Sequence, residues 1–236
     1  MGEIPKAEGV MCGRFQLSVK GKQINERFNV EVFDEFYKPS FNCAPSQKLA
    51  VITNSEPGKL SFFKWGLIPF WAKDPKIGFK MINARSESIT EKPAYKNAFK
   101  KRRCLIPANG FYEWQKDANK TPFRIFLKSE ELFAMAGIWE VWKDAEGKPI
   151  HTFSILTTSP NKLMESIHNR MPVILPLEYE QAWLKEADEK VLKELLIPFD
   201  PKQMKAYPIS KKVNLPTNND VSIILPVEES ELGLLF

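Results

Sequence analysis

Residues 133–158 read FAMAGIWEVWKDAEGKPIHTFSILTT, and this stretch decides the fold. Phe133 to Trp142 and Thr152 to Thr158 are two runs rich in apolar, β-branched and aromatic residues, the composition of strands that line a core. Asp144-Ala145-Glu146-Gly147 between them is turn chemistry. Strands joined by so short a connection are expected to pair antiparallel, since a parallel pair needs a crossover of about a dozen residues or more.

Working outward, the same kind of segment recurs. Toward the N-terminus lie strand patterns at Cys12 to Leu17, Leu49 to Thr53, Leu60 to Trp65, Cys104 to Pro107, Gly110 to Trp114 and Phe123 to Leu127. Toward the C-terminus follow Met204 to Ile209 and Ser222 to Leu225. Helical patterns are short: Gln23 to Phe28, around Ala94 to Phe99, a brief stretch from Asn161, then Leu177 to Glu186 and Glu189 to Leu196. Strand and helix do not alternate as βαβ units would require. The expected fold is therefore α+β, a single domain of mainly antiparallel strands forming a barrel-like core with peripheral helices.

Composition narrows the function classes. Apolar residues make up 43% and aromatics 12%, and no run approaches the roughly 20 apolar residues of a membrane span. The net charge of +5 is mild. Lys96, Lys100, Lys101, Arg102 and Arg103 fall together, as do Lys205, Lys211 and Lys212; such clusters read as solvated faces that would also suit a polyanion. Three cysteines at unrelated spacings, with no secretory h-region before them, point to a reducing, cytoplasmic setting. Without C-x-x-C or H-x-x-x-H, and with only His151 and His168 as histidines, neither a metal site nor a cofactor is expected. The chain divides into a flexible extension at residues 1–10, a domain at 11–227 and a tail at 228–236, and it reads as a monomer.

Chemistry gathers in a few motifs. In Met11-Cys12-Gly13-Arg14-Phe15, loss of the methionine would leave a cysteine with a free α-amine, and amine and thiol both titrate near neutrality. Together they can trap an aldehyde as an imine that closes to a thiazolidine. The plainer reading of Cys12 is a small buried residue at a strand start. With ten residues ahead of Met11, the nitrogen of Cys12 is an amide, so the chemistry requires Met11 to be the true initiator or the leader to be removed. Phe41-Asn42-Cys43-Ala44-Pro45 reads as an extended turn. Trp65-Gly66-Leu67-Ile68-Pro69-Phe70-Trp71-Ala72 is too rich in Gly, Pro and aromatics for a regular element; Trp71 either anchors this loop or offers a stacking surface to unpaired bases.

In Ile82-Asn83-Ala84-Arg85-Ser86-Glu87, Asn83 and Arg85 sit two apart, so an extended segment points both the same way, while Ser86 can cap a short helix. One supplies a neutral amide, the other a fork for phosphate. Glu113 lies inside the aromatic strand Gly110-Phe111-Tyr112-Glu113-Trp114; it either faces water or turns inward with Phe111 as an acid/base group. His168 in Ile167-His168-Asn169-Arg170-Met171-Pro172 is either a satisfied structural residue or a catalyst working beside Arg170.

These motifs in this order, from Met11 to about Val227, resemble the SRAP family, the SOS-response-associated abasic-site-processing proteins of bacteria, phages and eukaryotes. The resemblance implies a cysteine, exposed by methionine removal, that forms a thiazolidine crosslink with the aldehyde of an abasic site in single-stranded DNA. By position, Cys12 is then the nucleophile, Asn83 holds cysteine and sugar, Glu113 handles protons, and His168 assists ring opening and imine chemistry. Arg14, Trp71, Arg85 and Arg170 would meet DNA. The family has also been proposed to include autocatalytic peptidase activity, which would release the leader.

Three rivals remain at this level. An N-terminal-nucleophile amidohydrolase also starts Met-Cys-Gly, but the basic and aromatic motifs have no task in amide hydrolysis. A papain-like hydrolase lacks its Cys-Gly-Ser-Cys-Trp context. A non-catalytic single-strand binder would not need Cys12. The tail Glu231-Leu232-Gly233-Leu234-Leu235-Phe236 either folds back on the core or resembles the peptides that dock on a bacterial sliding clamp.

Overall fold

The computed structural model describes residues 13–227 except 34, 117 and 186; Cys12 and the tail with its sliding-clamp reading lie outside the described residues. Strands β1 (Arg14–Leu17), β2 (Ser40–Cys43), β3 (Lys48–Thr53), β4 (Ser61–Trp65), β5 (Asn83–Arg85) and β6 (Arg103–Ala108) come first. They are followed by β7 (Gly110–Trp114), β8 (Pro122–Leu127), β9 (Phe133–Lys143), β10 (Pro149–Thr158), β11 (Met171–Pro172), β12 (Ile174–Leu175) and β13 (Met204–Pro208). Helices α1 (Gly21–Phe28), α2 (Pro93–Lys101), α3 (Leu177–Leu184) and α4 (Glu189–Glu194) sit between and outside them.

The β9–β10 hairpin is the spine. It pairs antiparallel from Lys143↔Pro149 to Gly137↔Ile155, its turn closed by Asp144, whose carboxylate accepts from the Lys148 N–H at 2.8 Å. The free edge of β9 takes β6, and that of β10 takes β4, while β3 bridges β4 and β6. The ring β10-β4-β3-β6-β9 closes on itself as a five-stranded barrel, antiparallel except for the β4–β10 pair. Closure removes the exposed edges that an open sheet would have to protect. Its waist is tight: a Cβ on Gly137 would lie 2.3 Å from Ile106 Cδ1, 3.0 Å from Cys104 Sγ and 3.1 Å from Ser154 O, so any side chain there forces the Ile106 side chain to move.

A second antiparallel sheet, β13-β8-β7-β1-β2, lies against the barrel. One face sends Phe15, Phe111 and Ile125 into the main core, where the Phe15 ring meets Trp65 of β4 at 5.3 Å. The other face carries Tyr112, which packs with Ile209, Val213 and Ile223 as a smaller core. The fold is thus the expected single α+β domain with a barrel core. Among the described residues no helix is long and apolar enough to cross a membrane.

Four local expectations are corrected. Residues 222–225 are not a strand: 222–224 lie in the 3-10 turn Val221–Ile224 and Leu225 is its C-terminal cap, because the Asp220 carboxylate accepts from Ser222 N–H at 2.8 Å and bends the chain. The segment after Asn161 is a series of hydrogen-bonded turns instead of a helix. Asn161 holds it by accepting from Met164 N–H at 3.0 Å and donating to Phe199 O at 2.7 Å. Ser86 is the first residue of the 3-10 turn Ser86–Ser88 and not its cap, a place taken by Arg85 without a side-chain cap bond. Arg103 does not belong to a solvated basic face. It is 1% exposed and donates to the carbonyls of Phe99, Lys100, Trp183 and Lys185, so one guanidinium closes the C-terminal ends of both α2 and α3.

Candidate functional site

Strand alternation settles Glu113. It shares a face of β7 with Phe111, and at 1% exposure it is buried where the second sheet meets the barrel. The residue before Arg14 and the residue after Tyr112 stand beside the last pair of the β1–β7 ladder, which brings Gly13 next to Glu113.

Asn83 and Arg85 also follow the alternation. β5 is a three-residue strand lying parallel to β10, with Asn83 opposite Ile155 and Arg85 opposite Thr157. Ala84 between them is buried while Arg85 is exposed. Two aromatic donors fix this backbone: Trp65 Nε1–H reaches Ile82 O at 2.9 Å, and Tyr95 O–H reaches Asn83 O at 3.2 Å. Because Trp65 also packs on Phe15, the β1–β7 sheet and β5 are held by the same indole.

His168 is half-buried at the end of the turns that follow Asn161. Gln115, just past β7, donates to Ser166 O at 3.2 Å and ties that turn to the strand carrying Glu113. The Arg170 N–H donates to His168 Nδ1 at 3.2 Å, a contact that calls for the ring proton on Nε2, while the Arg170 carbonyl oxygen lies 3.4 Å from the same nitrogen. Burial lowers the imidazole pKa below its usual value against an opposing hydrogen bond with the Arg170 backbone, and the charges of Lys116 and Arg170 lower it further, which favours the neutral ring at pH 7. Asn83, Glu113 and His168 thus come from three separate elements joined by Trp65 and Gln115.

The four expected DNA contacts divide into two pairs. Arg14 donates to Asn42 Oδ1 at 3.0 Å, Val213 O at 2.6 Å and Asn214 O at 2.9 Å, while Asn42 donates to Val213, Leu215 and Asn218 carbonyls. These bonds lash the loop after β13 to β1 and β2. Arg170 forms a two-pronged pair with Glu87 and donates to Thr157 O at 2.6 Å. Trp71 and Arg85, by contrast, are open to solvent.

The loop carrying Trp71 is rigidly based. Leu67 and Ile68 are buried, Ile68 N–H donates to Thr152 Oγ1 at 3.0 Å, and Trp142 Nε1–H donates to Ala72 O at 2.7 Å. Gly66, at φ +121°, passes so close to Gly78 that a Cβ would lie 2.6 Å from its carbonyl oxygen. On this base Phe70 is 58% and Trp71 51% exposed. Phe79 is exposed nearby, with Lys64 Nζ 6.0 Å from its ring centre. Sequence reasoning did not single out Phe70, Phe79 or Glu87; Glu87 stands two residues after Arg85 in the same short motif, a spacing that could have suggested a shared task.

The two cysteines among the described residues are inert. Cys43 is fully buried, which pushes its thiol up to about 12, and burial raises Cys104 further still. Among the described residues no group of three or more His, Cys, Asp or Glu side chains could hold a metal ion.

Comparison with known proteins places this arrangement. The family model for SOS response associated peptidase (SRAP) matches residues 11–216. The chain is 49% identical over 221 residues to abasic site processing protein YoqW of Bacillus subtilis (strain 168), across 91% of this chain and 99% of that protein. It is 32% identical to abasic site processing protein HMCES of Xenopus tropicalis, across 78% of this chain and 64% of that protein. A crystal structure of a protein from Bacteroides thetaiotaomicron matches with a TM-score of 0.86 at 32% identity, covering 92% of this chain and all of that one. A family match over most of the chain and near half identity along a whole relative lead to one conclusion: the chain belongs to the SRAP family.

Proposed function

We propose that the protein processes abasic sites in single-stranded DNA by forming a thiazolidine between Cys12 and the sugar aldehyde. The observation that carries this reading is the fate of the thiols. Of three cysteines, Cys43 and Cys104 are sealed in the core with raised pKa values, which leaves Cys12. Cys12 is one peptide unit from Gly13, itself beside Glu113, and the family match begins at Met11. Relatives carrying the name abasic site processing protein support the substrate class.

The chemistry balances with these residues. An abasic deoxyribose is mostly a closed hemiacetal, so opening it breaks C1′–O4′, takes a proton from the C1′ hydroxyl and gives one to O4′. Glu113 is suited to accept the first proton and return it to O4′, while the Nε2–H of neutral His168 polarises O4′ by a hydrogen bond and keeps its own proton. The α-amine of Cys12 attacks C1′, water leaves, and the thiolate adds to the imine carbon to close the ring. Ring closure removes the imine that would otherwise invite β-elimination and strand breakage. The amine exists only after the Met11–Cys12 bond is cut. An autopeptidase step would use the same thiol, by attack on the Met11 carbonyl and hydrolysis of the thioester.

Phe70 and Trp71 offer stacking faces for unpaired bases, and Arg85, together with Lys64 beside Phe79 and with Lys73, Lys76 and Lys80 in the chain that follows Trp71, supplies positive charge for the backbone. Arg14 and Arg170 act through their internal partners, Asn42 and Glu87, by fixing the segments around them. Variants separate these roles. Trp71→Ala is expected to weaken single-strand affinity by about 1–3 kcal/mol without lowering the melting temperature. Arg85→Ala should flatten the salt dependence of binding by roughly 0.7 in log–log slope. Glu113→Gln should slow adduct formation by roughly a hundredfold or more with affinity nearly unchanged. Binding isotherms at several salt concentrations and single-turnover crosslinking read these out; a Glu113→Gln protein that loses affinity but keeps its rate would reverse the assignment.

A further inference from the structure

The Arg170–Glu87 pair has a task that reaches His168. Arg170 is nearly buried, and its terminal nitrogens are divided between both oxygens of Glu87 and the Thr157 carbonyl and hydroxyl. Glu87 follows β5, and Thr157 is the β10 residue that pairs with Arg85 on one side and Pro172 on the other. The guanidinium therefore staples the chain after His168 to β10 and to the end of β5, the strand that presents Asn83 and Arg85. Its carboxylate partner is ionised throughout the neutral range, since Arg170 lowers the Glu87 pKa.

The main chain of the same arginine determines which imidazole nitrogen carries the proton. His168 Nδ1 lies 3.2 Å from the Arg170 N–H and 3.4 Å from the Arg170 carbonyl oxygen. The first contact requires a bare Nδ1 and puts the proton on Nε2; the second would favour the opposite tautomer. The two contacts differ by 0.2 Å, so the backbone of Arg170 must be held still for one to prevail. We infer that Glu87 is a positioning residue: by clamping the Arg170 fork to the end of β5, it fixes the Arg170 main chain and thereby selects the Nε2–H tautomer of His168. This deepens the proposed function, since that N–H is the one assigned to the hydrogen bond on O4′.

The test uses Glu87→Gln and Glu87→Asp in protein whose histidines are labelled with nitrogen-15, with His151→Gln included so that His168 gives the sole imidazole signal. The parent should show one nitrogen protonated and Nδ1 bare at pH 7.5. Glu87→Gln should show exchange between tautomers, and Glu87→Asp should restore most of the parent pattern. On an abasic single-stranded oligonucleotide Glu87→Gln should form adduct about tenfold more slowly, while its affinity for an undamaged strand stays within about twofold. A parent-like imidazole pattern in Glu87→Gln overturns the inference, whatever the rate. So does a tighter grip on undamaged strand at an unchanged tautomer, which would make Glu87 a stand-in for phosphate. If the parent itself forms no adduct, the functional reading fails, but the imidazole spectrum still decides the role of Glu87.

Discussion

Protein that begins at Cys12 will convert an abasic single-stranded oligonucleotide into a heat-stable adduct, and Cys12→Ser will lose that product by at least about a thousandfold, as when an enzyme loses a nucleophile with no substitute. Serine keeps the amine, so it can still form the imine, but its hydroxyl is far too weakly acidic to close and hold the five-membered ring. Chain that retains the residues before Cys12 will crosslink only after the Met11–Cys12 bond is cut, because an amide nitrogen cannot condense with an aldehyde. Cys43→Ala will crosslink like the parent, since that thiol is buried and protonated. The measurement is denaturing gel analysis of a time course; equal yields from Cys12→Ser and parent would remove the mechanism.

The second large effect is on the fold. Arg103→Met is expected to destabilise the protein by about 3–5 kcal/mol, from hydrogen bonds worth roughly 1–3 kcal/mol each when a charged donor is lost and its acceptors stay buried. The donors serve Trp183 O at 2.8 Å, Phe99 O at 2.9 Å and Lys185 O at 2.7 Å, with Lys100 O also bound. Those carbonyls end α2 and α3, so the variant frays two helices that lean on β6 and β9. For a domain of this size the melting temperature should fall by on the order of 10 °C. Calorimetry checks it, and a change under about 1 kcal/mol would show that water satisfies the carbonyls instead.

Arg103 also marks the limit of what the chain reveals. In sequence it is the last member of a basic run, Lys100-Lys101-Arg102-Arg103, indistinguishable by composition from a solvated cluster. Its partners at Trp183 and Lys185 lie some 80 residues away, and no local pattern announces them. Arg14 is the same case more severely: its acceptors Val213 and Asn214 are 199 and 200 residues distant. Guanidinium groups chosen for their ability to grip phosphate grip backbone carbonyls just as well, because both present oxygen acceptors at similar spacing.

What was legible depended on local periodicity. The β9–β10 hairpin follows from two apolar runs and an Asp-Ala-Glu-Gly turn, and the structure pairs them over seven registered positions. Period-two alternation placed Asn83 and Arg85 on one side of a short strand, with Ala84 buried between them. The same rule offered Glu113 two positions, and burial beside Phe111 chose the inward one. The parallel docking of β4 and β5 on β10 was not legible, since β4 meets β10 only when the five-stranded ring closes and β5 joins β10 from outside that ring, some 70 residues away in sequence. Nor was Glu87, whose importance arises only when Arg170 arrives from 83 residues downstream.

The most direct test of the central claim counts thiols in the adduct. Protein beginning at Cys12 is crosslinked to an abasic single-stranded oligonucleotide, denatured, treated with excess iodoacetamide and weighed intact. The chain has three cysteines, so a thiazolidine, which consumes the thiol of Cys12, predicts that the adduct takes two alkyl groups, at Cys43 and Cys104. An adduct that takes three would be an imine or another linkage that leaves Cys12 free, and the account of the site would be contradicted.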